Sequence, residues 1–185
     1  MSSICVYCGS RIPNQPTFID LAERLGAYIG KKGHTLVYGG GKVGMMGIIA
    51  DATLQNDGEV IGIIPTALKR AEVVHTGVTE IIETKTMHTR KALMEEKSDI
   101  FVVMPGGFGT LDEFFEILTW RQLGIHSKPI IMINIDGYFD GIVQFVSTAL
   151  QKNFINENNL ELFSFTPNFD ETIAVLEQKL TEYES

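Results

Sequence analysis

The 185-residue chain is long enough for one domain that buries roughly 70% of its unfolded surface, and its 44% hydrophobic and 21% charged residues need neither disulfide nor metal staples. A formal net charge of −8 argues against broad electrostatic capture of nucleic acid or anionic membrane, although an anionic small molecule needs only local amide donors and one or two cations. No apolar run approaches the roughly 18 residues of a membrane span, and Met1-Ser2-Ser3-Ile4-Cys5-Val6 lacks the basic start and cleavage site of a secretory signal, so a cytosolic protein is expected.

The first predicted strand is the apolar run 4–8. It holds Cys5 and Cys8 as a C-x-x-C, readable as a redox pair or, as we prefer, as two buried strand cysteines. No second pair completes a zinc site, and His34, His75, His88 and His126 lack ligand spacing, so neither metal nor cofactor is expected. Gly9-Ser10 follow the strand, and apolar residues at helical spacing predict a helix over 17–31, stopped by Gly33.

Strands are predicted next at 35–38, 60–64, 80–83, 99–104 and 130–135, with helices at 45–55, 90–97, 110–123 and 138–152 between them. Near-continuous apolarity marks the strands as buried on both faces. A short edge strand at 162–165 and a closing helix at about 170–180 complete the pattern. Strand and helix alternate without linker or repeat, so the expected fold is α/β: one Rossmann-like domain over 1–185, an open, mostly parallel sheet with helices on both faces.

Ligands of such sheets bind beyond the carboxyl ends of strands, which directs attention to the residues after each strand. The second strand is followed by Gly39-Gly40-Gly41-Lys42-Val43-Gly44-Met45-Met46-Gly47. A G-x-G-x-x-G lies within it, but it belongs to the second turn, and Ile63-Ile64-Pro65 stand where a dinucleotide fold needs an acid. The ATPase phosphate-loop pattern is absent. Pro105-Gly106-Gly107-Phe108-Gly109-Thr110 is the stronger signal, because a buried strand, three glycines and a helix start coincide there. Unsatisfied amides and the helix dipole at such a start favour a phosphate.

Two features stay open on pattern alone. Thr110-Leu111-Asp112-Glu113 spells a capping box, so Glu113 serves either catalysis or the helix cap. Arg90 and Lys91 open a helix whose dipole disfavours cations, which calls for a bound anion unless both lie on a solvated polar face.

Met87-x-x-Arg90-Lys91 combined with Pro105-Gly106-Gly107-x-Gly109-Thr110-x-x-Glu113 resembles the signature of the LONELY GUY (LOG) family, the cytokinin riboside 5'-monophosphate phosphoribohydrolases. The likeness extends from Cys8-Gly9-Ser10 through both glycine turns to Trp120-Arg121-Gln122-Leu123-Gly124-Ile125-His126-Ser127-Lys128-Pro129 and Asp136-Gly137-Tyr138. It implies hydrolysis of the bond between an adenine-type base and ribose 5-phosphate, with Arg90 and Glu113 catalytic. The resemblance further implies a substrate site of Ser10, Gly40, Gly44, Glu72, Lys91, Gly106, Gly107, Gly109 and Thr110, Glu72 being the loosest match. Asp112 is a candidate, by position only, for the acid that protonates the leaving base. The implied ligand is a nucleoside monophosphate, and the implied assembly is a homodimer through the segment 114–124, whose apolar residues equally suit the core. Rival readings are a non-catalytic nucleotide or cofactor carrier, and a lysine decarboxylase, for which no pyridoxal phosphate constellation is evident.

Overall fold

The computed structural model describes residues 1–68 and 74–184. The strands are β1 (Ser3–Tyr7), β2 (Thr35–Tyr38), β3 (Glu59–Pro65), β4 (Glu80–Thr84), β5 (Ile100–Val103), β6 (Ile130–Ile133) and β7 (Ser164–Thr166). Between and after them run the helices α1 (Pro16–Lys31), α2 (Gly44–Leu54), α3 (Met87–Glu96), α4 (Phe108–Gln122), α5 (Asp140–Gln151) and α6 (Phe169–Glu184). All strand pairings are parallel and the sheet order is β4-β3-β2-β1-β5-β6-β7.

Strand β1 is the pivot of this order. The chain leaves it towards β2, β3 and β4, then returns to its other side through β5 and continues to β6 and β7. Ile4 pairs with Leu36 on one side and Ile100 on the other. The order therefore reverses between β1 and β5, and a crevice opens beyond their carboxyl ends.

Period-two alternation along β1 sends its side chains into two separate cores. Ile4, Val6 and Cys8 join the layer of α1, α2 and α6, whereas Cys5 and Tyr7 join the layer of α3, α4 and α5. Each fully buried Ile, Leu or Phe in these layers contributes about 1.5–3 kcal/mol of transfer free energy. The same alternation settles the C-x-x-C. Cys5 in β1 and Cys8 just past its end are free thiols packed into opposite cores, and burial pushes the Cys5 thiol up to about 12, which keeps it protonated and unreactive.

Predicted and observed elements differ at their ends. Helix α3 starts at Met87 because Thr86 and Thr89 exchange a reciprocal capping box, each side chain accepting the other's backbone N–H at 3.1 Å. Helix α4 starts at Phe108 with Gly107 as its cap. Helix α5 starts only at Asp140, since residues Ile135–Gly137 form a 3-10 turn in which Asp136 and Gly137 have φ of 52° and 70°.

Candidate active site

The two turns flanking the crevice are bound to each other. Gly9 donates its N–H to the Pro105 carbonyl at 3.1 Å, directly after Met104 N–H reaches Tyr7 O at 2.9 Å. Beyond them lies a cavity of about 590 Å³, within the usual range for small-molecule sites. Its walls come from the β1 end and the segment after it (Cys8 to Arg11, Pro13, Asn14 and Phe18), from Gly39, Met45 and Met46, from Arg90 on α3, and from the Pro105–Thr110 turn with Glu113 and Tyr138.

The head of α4 has the form of an anion seat. Gly107 carries no side chain to cap the helix, so the first-turn amides of Phe108, Gly109 and Thr110 have no intrahelical acceptor, and the dipole adds positive potential there. A Cβ on Gly107 or Gly109 would meet nothing within 4 Å, so these two residues border open space. Gly106 is glycine for a different reason: a Cβ there would collide with the Thr110 hydroxyl. Thr110 is 3% exposed and lines the cavity as the third residue of the helix.

Because α4 begins at Phe108, Glu113 sits well inside the helix and is not a cap residue. That removes the capping alternative. Glu113 is 8% exposed and lines the cavity, with Oε1 at 3.4 Å from Arg90 Nη2, an ion-pair distance longer than a tight hydrogen bond. Arg90 is itself 6% exposed, and its Nε donates to the Ile63 carbonyl at 3.0 Å. A Cβ on Gly39 would overlap the guanidinium, so the second glycine turn makes room for this arginine.

The two cations at the start of α3 are answered by carboxylates of α4. Arg90 meets Glu113, while Lys91, 7% exposed, gives Nζ to Asp112 Oδ2 at 3.0 Å and to Glu116 Oε2 at 2.6 Å. Burial disfavours the Lys91 charge, but its hydrogen bonds to Glu116 and Asp112 and their negative charges outweigh it and raise its pKa. Two expectations change accordingly. Lys91 does not line the cavity, and neither does Asp112, an exposed residue held by Lys91.

Ser10, Gly106, Gly107, Gly109 and Thr110 do line the cavity, together with Arg90 and Glu113. Gly40 and Gly44 stand behind it. Gly40 has φ of 79° and accepts the His75 N–H at 3.0 Å, and Gly44 has φ of 67° with its Cα packed on the Ser10–Arg11 backbone. Neither is among the residues that line the cavity. Glu72 lies outside the described residues. Arg11, Asn14, Phe18, Met46 and Tyr138 also line the cavity, and position after a strand is the sequence signal for the first two. Among the described residues no group of three or more His, Cys, Asp or Glu is placed to hold a metal ion, and no helix is long and apolar enough to cross a membrane.

A family model described as "Possible lysine decarboxylase" matches residues 46–176. The chain is 38% identical over 181 residues to the Arabidopsis thaliana cytokinin riboside 5'-monophosphate phosphoribohydrolase LOG2, covering 98% of this chain and 85% of that protein. It belongs to the LOG family. A second LOG relative, the probable phosphoribohydrolase LOGL9 of Oryza sativa, is 42% identical, with 95% of this chain and 77% of that protein covered. The same fold occurs in the molybdenum cofactor binding protein of Rippkaea orientalis, at 24% identity and a TM-score of 0.69 over 96% of both chains. In this LOG chain Arg90 and Lys91 of α3 thus meet Glu113 and Asp112 of α4, just beyond the Pro105-Gly106-Gly107 turn.

Proposed function

We propose that this LOG-family chain hydrolyses the N-glycosidic bond of adenosine 5'-monophosphates, including N6-modified ones, to a free base and ribose 5-phosphate. The observation that carries the proposal is the buried Arg90–Glu113 pair beside an uncapped helix start in one cavity. The relatives named as cytokinin riboside 5'-monophosphate phosphoribohydrolases support the substrate class.

The chemistry follows from these groups. Phosphate docks on the amides of Phe108, Gly109 and Thr110 and on the Thr110 hydroxyl, with Ser10 opposite. The ribosyl carbon then lies within reach of Glu113. As the carbon–nitrogen bond breaks, its electrons leave with the base and cationic character grows on the ribose, which the Glu113 carboxylate stabilises. The same carboxylate orients the water that adds to the anomeric carbon and takes up its proton. In balance the water supplies the new ribose hydroxyl and the proton that the departing base gains, and Glu113 returns to its starting state. Arg90 holds Glu113 in place through the ion pair, and its fork serves the phosphate or the base. No cofactor enters this scheme.

We place the protein in the cytosol as a homodimer. Support for self-association comes from large apolar side chains left exposed around α4 and α5, including Leu123 at 69%, Ile125 at 61% and Phe145 at 57%. Light scattering giving a monomer mass overturns the dimer.

One assay tests the activity. AMP, isopentenyladenosine monophosphate, the matching nucleosides and lysine are each incubated with the protein, and free base, ribose 5-phosphate and cadaverine are measured. Base release from monophosphates and not from nucleosides is the expected result. Tight nucleotide binding without turnover would instead make the protein a carrier. Lysine decarboxylation requires a lysine at the site to hold pyridoxal phosphate, and no lysine is among the described residues that line the cavity.

A further inference from the structure

The peptide between Gly106 and Gly107 is flanked by two residues without Cβ atoms, which makes it the freest unit of the anion turn to rotate. Its neighbours are fixed. The Pro105 carbonyl accepts from Gly9 N–H at 3.1 Å, and Gly107 O accepts the first backbone bond of α4 from Leu111 at 3.2 Å. The Gly106 carbonyl is fixed by a side chain from across the crevice, the Tyr138 hydroxyl, which donates to it at 2.6 Å.

Tyr138 is well placed to hold a peptide still. It follows the left-handed Asp136 and Gly137, and Asp136 Oδ2 accepts from Thr17 Oγ1 at 2.7 Å and Gln15 Nε2 at 2.9 Å, tying this turn to the head of α1. The ring meets Phe18 edge-on at 5.4 Å and Phe139 at 4.9 Å. Ring contacts on one side and the anchored turn on the other aim the hydroxyl of this half-exposed residue at the Gly106 carbonyl.

Resting on the phosphate placement proposed above, we infer that Tyr138 is a positioning residue of the anion site: its hydroxyl locks the Gly106–Gly107 peptide so that the carbonyl dipole is spent on the phenol. The peptide is planar and trans, so the Gly107 N–H is held in the opposite sense to that carbonyl. Without the hydroxyl the peptide rotates between two glycines, and in part of its population the carbonyl oxygen repels an incoming phosphate. The effect falls on binding of the phosphate, which is common to ground and transition states, and not on Glu113.

The test titrates ribose 5-phosphate and ribose into the wild-type protein, Tyr138→Phe and Tyr138→Ala by calorimetry, and measures steady-state base release from AMP. Loss of one hydrogen bond that organises the site predicts that Tyr138→Phe weakens ribose 5-phosphate about tenfold and raises KM for AMP by a similar factor, with kcat within about threefold. Tyr138→Phe keeps the ring against Phe18, so its folding is checked by circular dichroism. The inference is overturned if Tyr138→Phe binds ribose 5-phosphate like wild type, if only Tyr138→Ala loses affinity, or if kcat falls while KM stays. If the wild-type protein binds ribose 5-phosphate no better than ribose, the phosphate anchor itself fails, and the inference with it.

Discussion

Arg90 and Glu113 face each other across the α3–α4 contact at 3.4 Å, both more than nine-tenths buried, with the arginine further tied to the Ile63 carbonyl at 3.0 Å. The pair separates two kinds of damage. Glu113→Gln retains shape and burial but loses the charge, so turnover is expected to fall by about 10² to 10⁴ while stability changes by about 1 kcal/mol or less. Arg90→Ala strips a buried carboxylate of its guanidinium and opens a hole, costing about 3–5 kcal/mol. Base-release kinetics and urea unfolding of both variants check this. Wild-type turnover in Glu113→Gln removes the catalytic role.

Gly39 controls where that guanidinium lies. A Cβ there overlaps Arg90 and comes within 2.9 Å of Met46 Sδ, both at the cavity wall. Gly39→Ala is therefore expected to displace Arg90 and lower kcat/KM for AMP about 100-fold, as misplacement of a reacting group by about 1 Å does. The accompanying loss of stability is about 1–3 kcal/mol, the usual cost of overpacking. Equal losses in Arg90→Ala and Gly39→Ala/Arg90→Ala would show that the glycine acts through the arginine.

Lys91 distinguishes pattern from placement. Its ammonium is committed to Asp112 and Glu116, so Lys91→Met is expected to cost about 1–3 kcal/mol of stability by leaving hydrogen-bonded charges unmatched. KM for AMP should stay within about twofold of wild type, because the side chain does not line the cavity. Calorimetric titration with AMP decides the matter, and a large loss of affinity would return Lys91 to the ligand.

The parallel sheet was legible because strands buried on both faces, such as Leu36 and Val37 in β2 or Phe101 and Val102 in β5, appear as unbroken apolar runs between helical periods. The anion turn was legible for the same local reason, since strand, glycines and helix follow one another within a few residues. What depended on distant partners was not. Glu113 matched a capping box because Thr110 is a good cap residue, yet the structure starts α4 at Phe108, with Gly107 in extended backbone as the cap. Nothing near Lys91 in the chain announces Asp112 and Glu116 some 21 and 25 positions later. Phe18 and Tyr138 reach the cavity only because α1 and the β6–α5 turn meet at the switch point.

His126 gives a pH dependence of folding separate from catalysis. Its Nε2 bonds the Ile117 carbonyl at 2.8 Å and Nδ1 accepts the Lys128 N–H at 3.2 Å, a network that requires the neutral ring with its proton on Nε2. Burial, with added repulsion from Lys128 and Arg121, lowers its pKa below the ordinary 6.5 despite the opposing pull of Ile117 O and Glu95. Between the folded and unfolded values the unfolded chain binds more protons, so stability rises with pH across that window. The contribution is complete above about 6.5 and is lost as pH falls through the lower folded value. Urea midpoints measured from pH 7.5 down to 5 should decline more steeply for wild type than for His126→Gln, whose amide can still donate to Ile117 O without titrating. Parallel declines would mean that His126 titrates alike in the folded and unfolded chain.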